Sequence, residues 1–486
     1  MSDQGLITYF MVDQFKGVVT LFMLSPVNTF GFRKLCTAAT SVMEKMSKRE
    51  KRNAKRAAAK TTLVKMRQEK KRAKVDFDHY ENSDISDYYI DGAFRKVFPY
   101  HFTFKAYAKH RWIGCKLLDV LQSEFRFTSD EVIASKCKLG AILVNDEKVD
   151  PDYIMNDSDL LSHRVHRHEC PVLNLPIEFL HNSDDMLVIN KPPSIPIHPC
   201  GQYTLNSITH ILAKEYGLRP LRFVHRLDRM TSGLLIIAKN YDVSVRLQTQ
   251  ISNKEVTKYY ICHVEGCFPN ETKPENCDID FELHDGVVIC DKPVGPISPK
   301  LGIHAVLSES SGGKSARTHF MRLSYNPVTD TSLVICRLFT GRTHQIRVHV
   351  QYLGYPIVDD PLYNSTDWGE LKGKGAAYGM TVDEVIEKLA NSRTREKYIT
   401  EESNESSQNS LDPEVLTRLQ SCVDPLCEDC KLTFKDPTLK HLILRLHAYR
   451  YSGSDWCYSA PLPKWAKDEN NSDNLDNLIE EAVKKL

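Results

Sequence analysis

From residue 117 the apolar positions fall at helical spacing, with Leu117, Leu118, Leu121 and Phe125 on one face of CKLLDVLQSEF. A second helix is predicted over Asp130–Leu139, ended by Gly140, which enters the left-handed conformation without a Cβ penalty. AILVNDEKV then gives two short strands around Asn145–Asp146, a pair suited to a tight turn. Helix, helix and hairpin make a unit too small to be an enzyme, so an accessory role is expected of it. Between about Pro176 and Tyr363 the pattern changes to short apolar runs. MLVINK, LLIIA, KYYICHVEG and SLVICRLF are predicted strands, with helices over Asp242–Asn253 and over THQIRVHVQYLG, which Gly354 closes. The strands and helices mix without a regular βα repeat, which predicts an α+β class rather than a doubly wound sheet.

Around this core the polar pattern marks other segments. Residues 45–74 carry Lys or Arg at nearly every other position. Such a run is either a solvated linker helix or a phosphate-binding arm or nuclear import signal, and both readings stay open. Residues 391–414 are polar and poor in aromatics, the composition of disorder, inside a stretch that looks like an insertion from about 364 to 440. Order is expected to return with HLILRLHAYRYSG and WCYSAPLPKWA before a short tail. The N-terminal apolar stretch is broken by Asp13, Gln14 and Lys16; a transit-like leader and a plain extension both remain open. No run approaches the roughly 20 apolar residues a spanning helix needs, so no membrane partner is expected.

Composition adds little. A net charge of +1 gives no argument for a polyanionic partner, so any such argument must rest on how charge is distributed. The 14 cysteines are scattered through apolar runs, which fits reduced thiols rather than a disulfide framework.

The chemistry concentrates in FVHRLDRMTSGLLIIAKN, residues 223–240. Asp228 stands between Arg226 and Arg229, just before a buried strand. Neighbouring guanidiniums favour the ionised carboxylate, and an ionised carboxylate can attack an electron-poor carbon. The same pattern also fits an ion pair on a surface turn. Thr231, Ser232 and Gly233 suit a tight turn with exposed backbone.

HRLDRMTSG closely resembles the signature of RluA-type RNA pseudouridine synthases. Two further blocks follow in the family's order: KYYICHVEG at 258–266 and GRTHQIRVH at 341–349. Shorter matches are VINKPPSIPIHP, GKSARTHF at 313–320 and DPLY at 360–363. The resemblance covers residues 176–363 together with HLILRLHAYRY. It implies a mixed, largely antiparallel sheet with flanking helices, and isomerisation of uridine to pseudouridine in a base flipped out of its stack. At matching positions it implies Asp228 as nucleophile, Tyr260 as the tyrosine that stacks on uracil, and Arg347 as the partner of Asp228. Arg226 would probe the base stack, and His225, Arg229, Arg342 and His344 would join it in contacting RNA. Taken alone, Tyr260 reads equally as a core strand tyrosine, with Tyr259 on the opposite face. The unit at 115–165 resembles an alpha-L RNA-binding module.

The expected organisation is a leader at 1–43, a basic arm at 44–78, and a region at 79–169 that holds the module. A catalytic core at 170–363, the insertion at 364–440, its continuation at 441–466 and a tail at 467–486 follow. RNA is the expected partner, tRNA before mRNA, acted on by a monomer without cofactor or metal. The basic run predicts residence in nucleus and cytoplasm, with mitochondria as the alternative. The rival functions are a non-catalytic RNA-binding protein of the same fold and an N-glycosidase that never rejoins the bond. Cys427 and Cys430 form a lone Cys-x-x-Cys, for which Cys422 with His441 or His447 would be the candidate further ligands. The expected reading is an unliganded pair. PLCEDC also superficially suggests a zinc deaminase, but Leu426 breaks the required Pro-Cys step.

Overall fold

The computed structural model describes residues 9–12, 19–22, 87–125, 129–273, 278–392, 411–425, 427–467 and 474–486. The basic run at 45–74 and most of the polar stretch at 391–414 lie outside these residues. The chain forms two compact units, Met1–Ile85 and Ser86–Leu486. In the first, Tyr9–Val12 pairs antiparallel with Val19–Phe22.

The second unit is organised by an eleven-stranded sheet. Its strands in chain order are β1 (Glu178–Asn182), β2 (Met186–Lys191), β3 (Arg222–Phe223), β4 (Ser232–Ala238), β5 (Thr257–Glu265) and β6 (Glu282–His284). There follow β7 (Val287–Asp291), β8 (Arg317–Asn326), β9 (Thr331–Leu338), β10 (Leu446–Ser452) and β11 (Cys457–Ser459). In space they run β1-β2-β4-β10-β5-β9-β8-β7-β6, with β3 against β4 and β11 against β10. Pairing among them is antiparallel except between β4 and β10. The α+β class and the mixed, largely antiparallel sheet are therefore those expected from the sequence.

The β4–β10 contact dictates one residue. Gly233 sits at φ +106°, and a Cβ there would meet the Ala448 carbonyl oxygen at 2.3 Å. Only glycine lets β10 approach this closely, so the Thr-Ser-Gly turn is built for packing. In this way a strand from the far end of the chain enters the middle of the sheet.

Period-two alternation divides the core. On β5, Tyr260, Cys262 and Val264 enter one apolar cluster, while Tyr259 and Ile261 enter another. The first face is covered by helices Ile208–Glu215, Tyr241–Ser252 and Gln345–Leu353, through Ile211, Leu247, Ile346 and Val350 among others. Asn240 caps the second of these helices by accepting from the Val243 amide. The opposite face is covered by helix Leu475–Lys485, where Leu475, Ile479 and Ala482 follow helical spacing. Burying a side chain such as Leu475 or Ile479 is worth about 1.5–3 kcal/mol, so this end of the chain packs rather than trails.

Two smaller assemblies flank the sheet. Residues 100–167 form a four-stranded sheet with helices Leu117–Phe125 and Asp130–Leu139 around Trp112, Leu121, Ile133 and Met155. Gly140 ends the second helix at φ 77°, and Asn145 and Asp146 take positive φ in the hairpin turn. Within the stretch read as an insertion, Trp368, Val385 and Leu389 are fully buried beside Val348 and Tyr363. Its first part is thus core rather than loop.

Candidate active site

Asp228 lies on the turn that feeds β4, and two contacts fix this turn. The Thr231 amide donates to the Asp228 carbonyl at 3.1 Å. Fully buried Lys191, at the end of β2, donates to the carbonyls of Pro192 at 2.7 Å and Arg229 at 3.1 Å. Burial together with the Arg229 charge pulls the Lys191 ammonium down to about 7. The carboxylate of Asp228 faces a cleft of about 790 Å³.

Arg347, on helix Gln345–Leu353, reaches across to it. Its Nη1 donates to Asp228 Oδ2 at 3.2 Å, while Nε and Nη2 donate to Asp360 Oδ2 and Oδ1 at 2.8 and 2.9 Å. Asp360 is in turn held by the Leu362 and Tyr363 amides at 2.9 and 3.0 Å. Such a two-point pair fixes the orientation of the guanidinium as well as its charge. Burial pushes the Asp228 carboxyl up, but His344, Arg347 and Arg226 together carry it below its ordinary value. His344 lies 3.7 Å from Asp228 Oδ2. Burial holds its imidazole down to about 4, so it is uncharged at neutral pH. Arg347 is therefore the closest positive charge that keeps Asp228 ionised there.

Tyr260 lines the same cleft from β5, and its hydroxyl shares a hydrogen bond with that of Tyr451 on β10. Burial raises its pKa, so it stays protonated. The loop before helix Gln345–Leu353 is braced by Gln345. Its Oε1 accepts from Thr340 Oγ1 and the Arg342 amide at 2.8 and 3.0 Å, and its Nε2 donates to the Arg317 carbonyl and Thr318 Oγ1 at 3.1 and 2.9 Å. His349 closes the block, bonding Thr318 Oγ1 and the Lys292 carbonyl, both at 2.9 Å.

The structure brings Asp228, Tyr260, Arg347, His225, Arg226, Arg342 and His344 to one cleft, and of the expected RNA contacts Arg229 falls outside its lining. Arg229 turns away toward the Ser194 carbonyl at 3.4 Å and lies over the Tyr203 ring. His225 borders the cleft, but its Nε2 accepts the Ile236 amide at 3.0 Å, and burial holds it to about 3. That bond holds the turn against β4. His344 is also not a simple helix cap. It sits at φ 58°, with Nδ1 against the Tyr363 hydroxyl at 2.9 Å and Nε2 toward Asp228.

Sequence reasoning missed other contributors. Asp360 was visible only within DPLY, and Tyr451 within HAYRY. Lys254, Lys258, Arg317 and Arg337 also line the cleft. With Arg226, Arg342 and Arg347 they make seven basic residues against two aspartates, Asp228 and Asp291. This local excess is hidden by the chain's net charge of +1, and it is the footprint of a polyanionic ligand.

A carboxylate held ionised in a basic cleft, with a tyrosine lining the same cleft, is an arrangement suited to chemistry on a polyanionic substrate. The comparisons narrow the class. A family model described as RNA pseudouridylate synthase matches residues 185–352. Pseudouridylate synthase RPUSD2 of Mus musculus is 36% identical over 461 residues, covering 86% of this chain and 80% of that protein. The mitochondrial tRNA pseudouridine(32) synthase of Saccharomyces cerevisiae is 39% identical over 388 residues, 78% of each chain. The tRNA pseudouridine(31) synthase of the same yeast is 32% identical over 426 residues, 80% of this chain and 99% of that one. The chain belongs to the RNA pseudouridylate synthase family, whose reaction isomerises uridine in RNA to pseudouridine. It is an enzyme acting on RNA, and the rival of a non-catalytic RNA-binding protein gives way.

Proposed function

We propose that this pseudouridine synthase acts on tRNA with Asp228 as its nucleophile. The observation that carries the proposal is the placement of Asp228 in the basic cleft on one nitrogen of a guanidinium whose other two are bound by Asp360. The carboxylate attacks the flipped nucleotide and the bond from uracil N1 to the ribose breaks. The base turns in the pocket, carbon 5 joins the same ribose carbon as the bond to Asp228 breaks and frees the carboxylate, and the hydrogen on carbon 5 leaves as a proton while N1 gains one. Atoms and charge balance, and no step calls on a redox partner or a metal. Tyr260 stacks on the uracil as a neutral phenol. Arg347 orients the nucleophile and keeps it charged. Arg226 and Arg342 at the mouth, with Lys258, Arg317 and Arg337, take phosphate and ribose. The basic run at 45–74 adds salt-sensitive phosphate contacts that carry no sequence preference.

The choice of tRNA over mRNA follows the two yeast relatives, whose names assign them tRNA positions 32 and 31. Residence in nucleus and cytoplasm follows the basic run, and the relative named mitochondrial supplies the alternative. The test is to map pseudouridine in RNA from cells with and without the protein. Loss at tRNA sites is expected; loss confined to mRNA overturns the substrate, and unchanged maps overturn the reading. The protein works as a monomer, which its mass in solution tests.

A further inference from the structure

Outside the cleft, four side chains converge with no part in the reaction. His166 and His168 flank Arg167 at the end of strand Leu160–Arg167 and project together. Facing them are Cys427 and Cys430, from the far end of the stretch read as an insertion. The nearest ligand atoms of all four lie within 4.8 Å of one another. Cys427 Sγ is 3.5 Å from His168 Nε2, while Cys430 Sγ is 3.4 Å from His166 Nδ1 and 3.4 Å from His168 Nε2.

The three sulfur–nitrogen separations fit the edges of a metal tetrahedron. Zinc bonds of about 2.3 Å to sulfur and about 2.0–2.1 Å to nitrogen place neighbouring S and N ligands roughly 3.5 Å apart across a tetrahedral edge. Backbone amides also point at both sulfurs. Cys430 Sγ accepts the Asp424 amide at 3.4 Å, and Cys427 Sγ accepts the Asp429 and Cys430 amides. Behind the ligands, Asp424 pairs with His101 at 3.0 Å, and the His101 ring packs against His166.

We propose that His166, His168, Cys427 and Cys430 bind one zinc ion as a closed structural site. Two thiolates and two imidazoles are a donor set that favours zinc over hard cations. Four protein ligands leave no open position for substrate, and none of the four lines the cleft. The ion ties residues 424–430 to the strand at 160–167, reinforcing the Lys96–Asp436 pair at 2.7 Å and the packing of Arg418 on Phe98. The two histidines that the sequence offered as candidate ligands, where an unliganded pair was the expected reading, are engaged otherwise. His447 bonds Ser232 in the core at 2.8 Å, and His441 bonds Thr438 at 3.0 Å.

The test uses the full chain, purified with reductant, with metal measured by mass spectrometry and cobalt(II) substituted for the bound ion. About one zinc per chain is expected, falling below about one tenth in the double variant Cys427→Ser with Cys430→Ser and in His168→Ala. Cys422→Ser should keep its zinc. Cobalt should give tetrahedral visible bands with thiolate charge transfer in the near ultraviolet. This spectrum, read on the wild-type chain, decides the matter if the variants do not fold. A metal-free chain that takes up neither ion overturns the proposal, as does a six-coordinate cobalt spectrum lacking thiolate bands, or zinc lost in Cys422→Ser.

Discussion

Arg347 and Asp360 form a two-point ion pair, Nε to Oδ2 at 2.8 Å and Nη2 to Oδ1 at 2.9 Å, and the remaining nitrogen of that guanidinium reaches Asp228 at 3.2 Å. The proposed nucleophile is thus aimed by a residue that is itself aimed by a fully buried carboxylate. Burial of an ion pair is weak evidence for stability, but aiming a planar fork requires it.

Asp360→Asn tests that hierarchy. The amide presents donors to a guanidinium that has only donors, so one of the two bonds is lost and Arg347 gains freedom to rotate. Stability should fall by about 3 kcal/mol, as for breaking a buried pair. At temperatures where the variant stays folded, kcat should fall while KM for RNA holds. An unchanged kcat would reduce Asp360 to a purely structural role.

Tyr260→Phe removes the hydroxyl that pairs with Tyr451 but keeps the ring. Stacking worth about 1–3 kcal/mol per base should survive, so RNA affinity should stay near normal while turnover falls by roughly 10²-fold. Tyr451→Phe is the control, since it breaks the same hydrogen bond from outside the cleft lining. Equal turnover defects in both would mean that the hydroxyl pair positions the strands and does not serve the reaction.

Acid should destabilise the fold in a defined window. Burial holds His349, His447 and His344 to about 4, against an unfolded value of about 6.5. Between these values the unfolded chain binds protons that the native chain refuses. Their contribution is therefore complete above pH 6.5 and is lost as pH falls toward 4, by up to about 1.4 kcal/mol per pH unit for each histidine. Asp228, with its pKa lowered in the fold, acts in the same direction at lower pH. Thermal melts from pH 8 to 4 should show a falling midpoint below 6.5, and a flat profile to pH 4.5 would contradict the assignment of neutral buried histidines.

What the sequence disclosed was local. Period-two alternation in KYYICHVE separates Tyr259 from Tyr260, and Gly140 and Gly354 end their helices at φ 77° and 87°. These features depend on neighbours within a turn or a strand. What it hid depends on residues meeting from afar. β10 enters the sheet beside β4 because Gly233 leaves room for Ala448, and nothing in TSG names that partner. His225 and Arg229 stand in the motif, and nothing in it names the Ile236 amide that bonds one or the Ser194 carbonyl that meets the other. Cys427 and Cys430 showed their Cys-x-x-Cys spacing, while His166 and His168, which the fold brings beside them, lie far away in the chain.

The sharpest prediction is Asp228→Asn. The substitution keeps the shape of the side chain and removes its charge, and an amide oxygen is a far poorer nucleophile than a carboxylate. Arg347 keeps both bonds to Asp360, so no guanidinium is left buried without a counter-charge, and the fold should survive with a midpoint close to wild type. RNA affinity should hold or rise, because Arg226, Arg342 and Lys258 remain around the cleft while a negative charge facing phosphate is gone. Rejoining at carbon 5 expels the hydrogen it carried, so tritium placed there leaves once per turnover. The folded variant should bind RNA in a gel-shift assay and release no tritium above background. Release at a rate near the wild type would show that Asp228 is not the nucleophile.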